Sequence, residues 1–199
     1  TGNCSLTPFP AGKGGPKALR EIIGTSLPSK CEWEWETLEE WANSMQSNGI
    51  SLNVAPQVGN GAIRVAAGLT EDRRATRKEI TMMQKFAVEA VEQGAFSLST
   101  GLSIPPSSFS DTDEVVALCE AIAPYEDVFY ATHARVWPGY LIKAIEEAVE
   151  IGVRAGVPVQ FSHIAITDKR FYGSGPEMVA VIDKARRSGL DITYDVYPY

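Results

Sequence analysis

The sequence predicts an α/β protein with a parallel sheet. Short β-rich runs alternate with helical stretches, and the later runs begin about 30 residues apart, the length of one strand–helix unit. Strands joined this way pair in parallel through right-handed crossovers. An open doubly wound sheet and a closed barrel both satisfy that pattern. No Gly-x-Gly-x-x-Gly follows any of the runs, which weakens the dinucleotide-binding form of the open sheet.

Each element has its own local signal. Thr37 with Glu40, and Thr76 with Glu79, fit the capping box, in which side chains satisfy the first free N–H groups of a helix. The first helix stops at Gly49, before the run Ile50-Ser51-Leu52-Asn53-Val54. The second stops at Gly94, before Phe96-Ser97-Leu98-Ser99. Glycine is favoured just past a helix end because it turns left-handed without a Cβ clash. A helical stretch at 111–123 leads into Val128-Phe129-Tyr130-Ala131-Thr132 without a glycine. The next helix, 139–155, places Leu141, Ile142, Ile145, Val149 and Val153 at helical spacing. Lys143, Glu146, Glu147, Glu150 and Arg154 form its exposed face. Gly156 ends it, before Pro158-Val159-Gln160-Phe161-Ser162-His163. Pro176 after Gly175 suits a first helical turn, and Gly189 precedes Asp191-Ile192-Thr193-Tyr194-Asp195-Val196. Segment 7–36 differs in kind: it is rich in Pro, Gly and Lys, then carries Trp33 and Trp35. It reads as a loop or insertion packed over one face of the sheet.

Composition bounds the function. With 199 residues the chain can build one sizeable core, but a complete eight-stranded α/β barrel needs about 250. A net charge of −7 argues against nucleic acid or an anionic membrane surface as the main partner. No apolar run approaches the roughly 20 residues of a membrane span. Cys4, Cys31 and Cys119 are few, odd in number and irregularly spaced, so no disulfide framework is expected and a reduced, cytoplasmic compartment fits better.

The two histidines carry the most information. His133 closes one predicted strand and His163 the next. In a parallel barrel that end of the strands collects catalytic groups. Neighbouring strands lie about 4.8 Å apart, so the two imidazoles can share a metal ion. The bland alternative is two unrelated histidines bonded to loops. Cys4 can add a thiolate ligand, serve as a nucleophile beside a histidine, or simply be a small buried residue. Cys31 and Cys119 receive no role. Asp195 can orient a ligand histidine and Tyr197 can stabilise an oxyanion, or both can be strand-end packing. Arg135 can hold a substrate carboxylate with its planar fork or form an ion pair within the protein. The turn Ser97-Leu98-Ser99-Thr100-Gly101-Leu102 is not a Gly-x-Ser-x-Gly elbow, so a serine hydrolase is not indicated.

Five segments in order resemble the N-acyl-D-amino-acid deacylase (D-aminoacylase) family of the amidohydrolase superfamily. They are Gly2-Asn3-Cys4, Gly94 through Leu102, Ala131-Thr132-His133-Ala134-Arg135, Gly156 through His163, and Asp195-Val196-Tyr197-Pro198-Tyr199. The resemblance implies an incomplete (β/α)8 TIM-type metal-dependent hydrolase barrel, roughly the end of strand 2 through strand 7. Residues 1–199 would be a partial amidohydrolase barrel domain, with the flanking strands and a small β-sandwich outside the chain. It also implies zinc, with Cys4, His133 and His163 as ligands, and deacylation of N-acyl-D-amino acids, a small-molecule amide substrate. A His-x-His motif is expected before Thr1 and a catalytic aspartate after Tyr199, so the piece alone would be inactive.

Three positions depart from the family pattern. Asn60 stands where His is usual, Ile104 near a usual Tyr, and Ala165 where Lys is common. The last two leave recognition of a free carboxylate open, and Val136-Trp137 suggests an apolar mouth. The alternatives are a hydrolase of cyclic amides such as hydantoins, and a barrel relative that binds metal or ligand without turnover.

Overall fold

The structure is a computed structural model that describes residues 2–12, 15–23, 33–135, 141–166 and 168–198. Two helices, α1 (Gly15–Ile23) and α2 (Leu38–Asn48), precede the first strand, β1 (Val58–Gly59). Then follow α3 (Asn60–Ala66), α4 (Arg77–Glu92), β2 (Ser97–Gly101), α5 (Thr112–Ile122) and β3 (Phe129–His133). The chain continues through α6 (Leu141–Ala155), β4 (Val159–Phe161), α7 (Gly175–Arg187) and β5 (Ile192–Tyr194). The strands form one parallel sheet in the order β1-β2-β3-β4-β5. A doubly wound sheet reverses its strand order at a switch point. This sheet runs in simple chain order with a helix in every crossover, so it is an arc of an α/β barrel.

Successive side chains of a strand point to opposite faces. Leu98, Tyr130, Val159, Phe161 and Ile192 form the outward face and are buried under the helices. α4 contributes Met83, Ala87 and Ala90; α5 Val115, Leu118 and Ile122; α6 Ala144, Ile145 and Ile151; α7 Met178 and Ile182. Each large aliphatic group there stabilises the fold by about 1.5–3 kcal/mol relative to exposure. The inward face carries Ser97, Ser99, Phe129, Ala131, His133 and Gln160, a largely polar set with no large aliphatic group among them. Barrel interiors are usually filled by Val, Ile and Leu, so this polar lining marks the face that bears the site.

Local signals fixed the helix ends. Both capping boxes are formed, with Thr37 and Thr76 accepting from the backbone N–H of Glu40 and Glu79. Gly94 and Gly156 follow α4 and α6 at φ +103° and +70°. Where no glycine precedes β3, Asp127 takes φ +60° instead, a conformation its short polar side chain tolerates.

Three expectations need correction. The run 50–54 is not a strand: Ile50, Leu52 and Val54 are exposed, and the first strand is Val58–Gly59. Alternating apolar residues mark a strand only where a neighbour pairs with them, and β2 pairs with 58–59. Val153 points to solvent, while Glu147, assigned to the exposed face of α6, is mostly covered. Segment 7–36, read as a loop or insertion, contains α1, whose Leu19 packs with Ala11, Ala62 and Val65. Cys4 lies in a 3-10 turn, Asn3–Ser5. Cys31, Val136 and Trp137 lie outside the described residues. Among the described residues no helix is long and apolar enough to cross a membrane.

Candidate metal centre

Three chain segments meet at the carboxyl ends of the strands. His133 is the last residue of β3, in register with Gly101 of β2. His163 follows β4 by two residues. The turn carrying Cys4 lies against β2 and β3. One ligand atom from each of Cys4, His133 and His163 falls within 4.8 Å of the others, and all three residues are half-buried. The imidazoles approach with His133 Nδ1 2.5 Å from His163 Nε2. At that separation both nitrogens cannot carry a proton, so at least one lone pair faces the shared point. A thiol and two imidazoles are a donor set that suits Zn²⁺.

The electrostatics are consistent with ligands held ready for a cation. Burial pushes the Cys4 thiol above its ordinary range, and the nearby Asp195 carboxylate adds to the rise. Burial also lowers His133, and His163 beside it lowers it further, which favours the neutral imidazole. A divalent ion reverses the cost for the thiolate, because it supplies the positive charge that the site otherwise lacks.

The surrounding residues fix His163. Its φ is +41°, in the left-handed region. Asp195 Oδ1 accepts its backbone N–H at 2.5 Å, and Asp195 Oδ2 accepts from Gln160 Nε2 at 2.8 Å. Asp195 therefore acts on the backbone of His163 and not on its ring. Tyr197 stacks on the His163 ring, with centroids 5.3 Å apart and planes 16° from parallel. The sequence raised both residues but not these contacts, which cross more than 30 residues of chain.

Arg135 was open between a carboxylate clamp and an ion pair. Its Nε lies 3.1 Å from both carboxylate oxygens of Glu147, Nη1 donates to Ser108 O at 3.1 Å, and Nη2 donates to Ser110 O. The guanidinium ties β3 to α6 and to the loop ahead of α5. Sequence reasoning did not find a second buried network nearby. Arg64 Nη1 lies 2.8 and 2.6 Å from the two oxygens of Glu114, and the Ser110 hydroxyl sits 2.6 Å from Glu114 Oε1 and 3.2 Å from Asn60 Oδ1. Arg64 and Asn60 are fully buried. Asn60 thus serves as a buried acceptor at the end of β1.

No family model matches the chain. Along all 199 residues it is 29% identical to a D-aminoacylase and 30% identical to an N-acyl-D-aspartate deacylase, both of Alcaligenes xylosoxydans xylosoxydans, of which it covers 40% and 39%. Among solved structures, a D-aminoacylase described as defining a novel subset of amidohydrolases superposes on the whole chain with a TM-score of 0.85 at 30% identity. An N-acyl-D-glutamate deacylase from Bordetella bronchiseptica, complexed with zinc and a phosphonate mimic of the tetrahedral intermediate, superposes with a TM-score of 0.84 at 25% identity. The chain covers 41% of each of these structures. From end to end, the chain is therefore similar in sequence and in barrel arc to D-aminoacylase amidohydrolases, and it spans about two fifths of their length.

Proposed function

We propose that Cys4, His133 and His163 hold a zinc ion, and that the protein this chain belongs to hydrolyses the amide bond of N-acyl-D-amino acids. The carrying observation is the convergence of one sulfur and two imidazole nitrogens within 4.8 Å at the carboxyl ends of parallel strands. Zinc bound there supplies Lewis acidity toward a carbonyl oxygen and toward water. The chain's own residues prepare the site. The half-buried thiol and imidazoles present lone pairs to one point. Asp195 holds the backbone of His163 in its left-handed turn, and Tyr197 covers one face of the imidazole. The half-exposed Tyr197 phenol is the group beside His163 that can donate a hydrogen bond to a developing oxyanion. Arg135 keeps a positioning role through Glu147 in this reading.

Ile104 and Ala165 lack the polar groups that the family resemblance implies at those positions. The substrate panel therefore includes N-acyl amines without a carboxylate, alongside N-acyl-D- and N-acyl-L-amino acids and hydantoins. The test is metal analysis and turnover of the protein from its complete reading frame, with Cys4→Ala and His163→Ala. Wild type is expected to carry zinc and hydrolyse the D-series. Each variant is expected to lose most of the zinc and at least about 100-fold in kcat/KM. Zinc and activity surviving in both variants would sink the assignment; hydantoin opening in place of deacylation would move it to cyclic amides.

A further inference from the structure

We propose that Ser99 is a positioning residue for the Cys4 thiolate; this rests on the zinc reading above. Ser99 lies mid-strand on β2, fully buried on the inward face. Its hydroxyl donates to Gly2 O at 2.5 Å and accepts from Ser5 N–H at 3.2 Å. One side chain thus brackets the turn, holding its first carbonyl and its last amide with Cys4 between them.

That turn needs an external clamp. Cys4 and Ser5 have φ of +62° and +71°, two consecutive non-glycine residues in the left-handed region. Such a conformation persists only where the surroundings over-determine it. The glycines beneath allow the turn to come close. A Cβ on Gly101 would stand 2.5 Å from Cys4 O, and one on Gly59 would collide with Ser5 O. Asn3 adds a lateral tie, with Nδ2 and Oδ1 at 3.1 and 3.2 Å from the Ser162 hydroxyl just past β4. The turn is seated on β2 by Ser99 and steadied from β4 by Asn3, and the sulfur is aimed at the histidine pair between them.

Ser97 provides the control. It lies on the same strand and the same face, is equally buried, and its hydroxyl has no hydrogen-bond partner among the described residues. The full-length protein is stripped of metal and reloaded with Co²⁺, whose thiolate-to-metal charge-transfer band in the near ultraviolet reports the Cys4 bond directly. Zn²⁺ affinity is measured by competition with a chelator. Ser99→Ala is expected to stay folded by circular dichroism, to weaken Zn²⁺ binding about 10–100-fold, and to lose band intensity. Ser97→Ala is expected to match wild type in both readouts. Gly101→Ala displaces the same seat from below and is expected to lose the band as well. It decides the matter if Ser99→Ala does not fold.

Wild-type band and affinity in Ser99→Ala, or in Gly101→Ala should the former not fold, overturn the proposal. Equal losses in Ser97→Ala overturn it too, because they would trace the effect to packing. Failure of the zinc reading looks different: wild type itself shows no thiolate band, or Cys4→Ser keeps it.

Discussion

Replacing Glu114 by alanine is expected to cost this fold about 3–5 kcal/mol. Glu114 and Arg64 are 2% and 0% exposed, and the Arg64 guanidinium meets both carboxylate oxygens at 2.8 Å or less. Removing the carboxylate leaves a buried cation with the Arg73 carbonyl at 2.8 Å and the Ser110 hydroxyl at 3.4 Å as its remaining partners. Breaking a buried pair by deleting one partner costs on that scale, because the desolvation of the survivor is no longer offset. In the protein from its complete reading frame this loss is expected to lower the melting point measurably. The double replacement Arg64→Met with Glu114→Leu removes both charges and keeps apolar volume. It is expected to be far less damaging than the sum of the singles, with a coupling of about 2 kcal/mol or more. Urea unfolding at pH 7 of wild type, both singles and the double measures this. A loss below about 1 kcal/mol for Glu114→Ala, or additivity in the cycle, would refute the argument that this pair is desolvated and coupled.

Other perturbations separate local from tertiary effects. Gly152→Ala should stabilise helix α6 by propensity, about 1 kcal/mol, yet its Cβ would collide with Val159 Cγ2 and stand 3.1 Å from Leu190 Cδ1. A net loss of about 1–3 kcal/mol is expected from overpacking, and a raised melting temperature would show that the helix–sheet contact yields freely. Thr76→Ala removes one half of the capping box on α4 and is expected to lose about 1 kcal/mol, read from the denaturant midpoint; no change would mean that Arg73 alone holds Glu79. In the metal-free protein the half-buried Cys4 thiol is expected to alkylate with a pH midpoint above the ordinary thiol range, and a midpoint below it would contradict the partial burial. His133 is depressed on folding, so below about pH 6.5 the unfolded chain binds the extra proton first. Stability of the metal-free protein is therefore expected to fall on acidification below that value. His133→Gln should flatten this limb; an unchanged limb would place the titration elsewhere.

The parts of this protein legible in its sequence are those with causes a few residues apart. Thr37 and Thr76 announce their helices because each bonds an amide three residues on, and Gly94 and Gly156 mark helix ends by a conformation they adopt alone. The β-rich runs at 96–99, 128–132 and 158–163 overlap true strands, and those two later strands put His133 and His163 at neighbouring carboxyl ends. Cys4 reached the ligand set only through its resemblance to a family, since nothing in its spacing ties it to residues more than 120 positions away. Tertiary structure alone decided the rest. The first strand settled at Val58–Gly59, where β2 supplies a partner and Gly59 leaves room for Ser5. Arg135 went to Glu147, and Asp195 took the backbone amide of His163 in preference to its ring. Ser99, Ser110 and Ser162 gained partners that no local pattern encodes. Local chemistry writes the ends of helices and strands into the chain. Which buried hydroxyl, carboxylate or bare glycine meets which distant backbone is settled only when packing helices and loops against the sheet excludes water and leaves each polar group to find a partner within the protein.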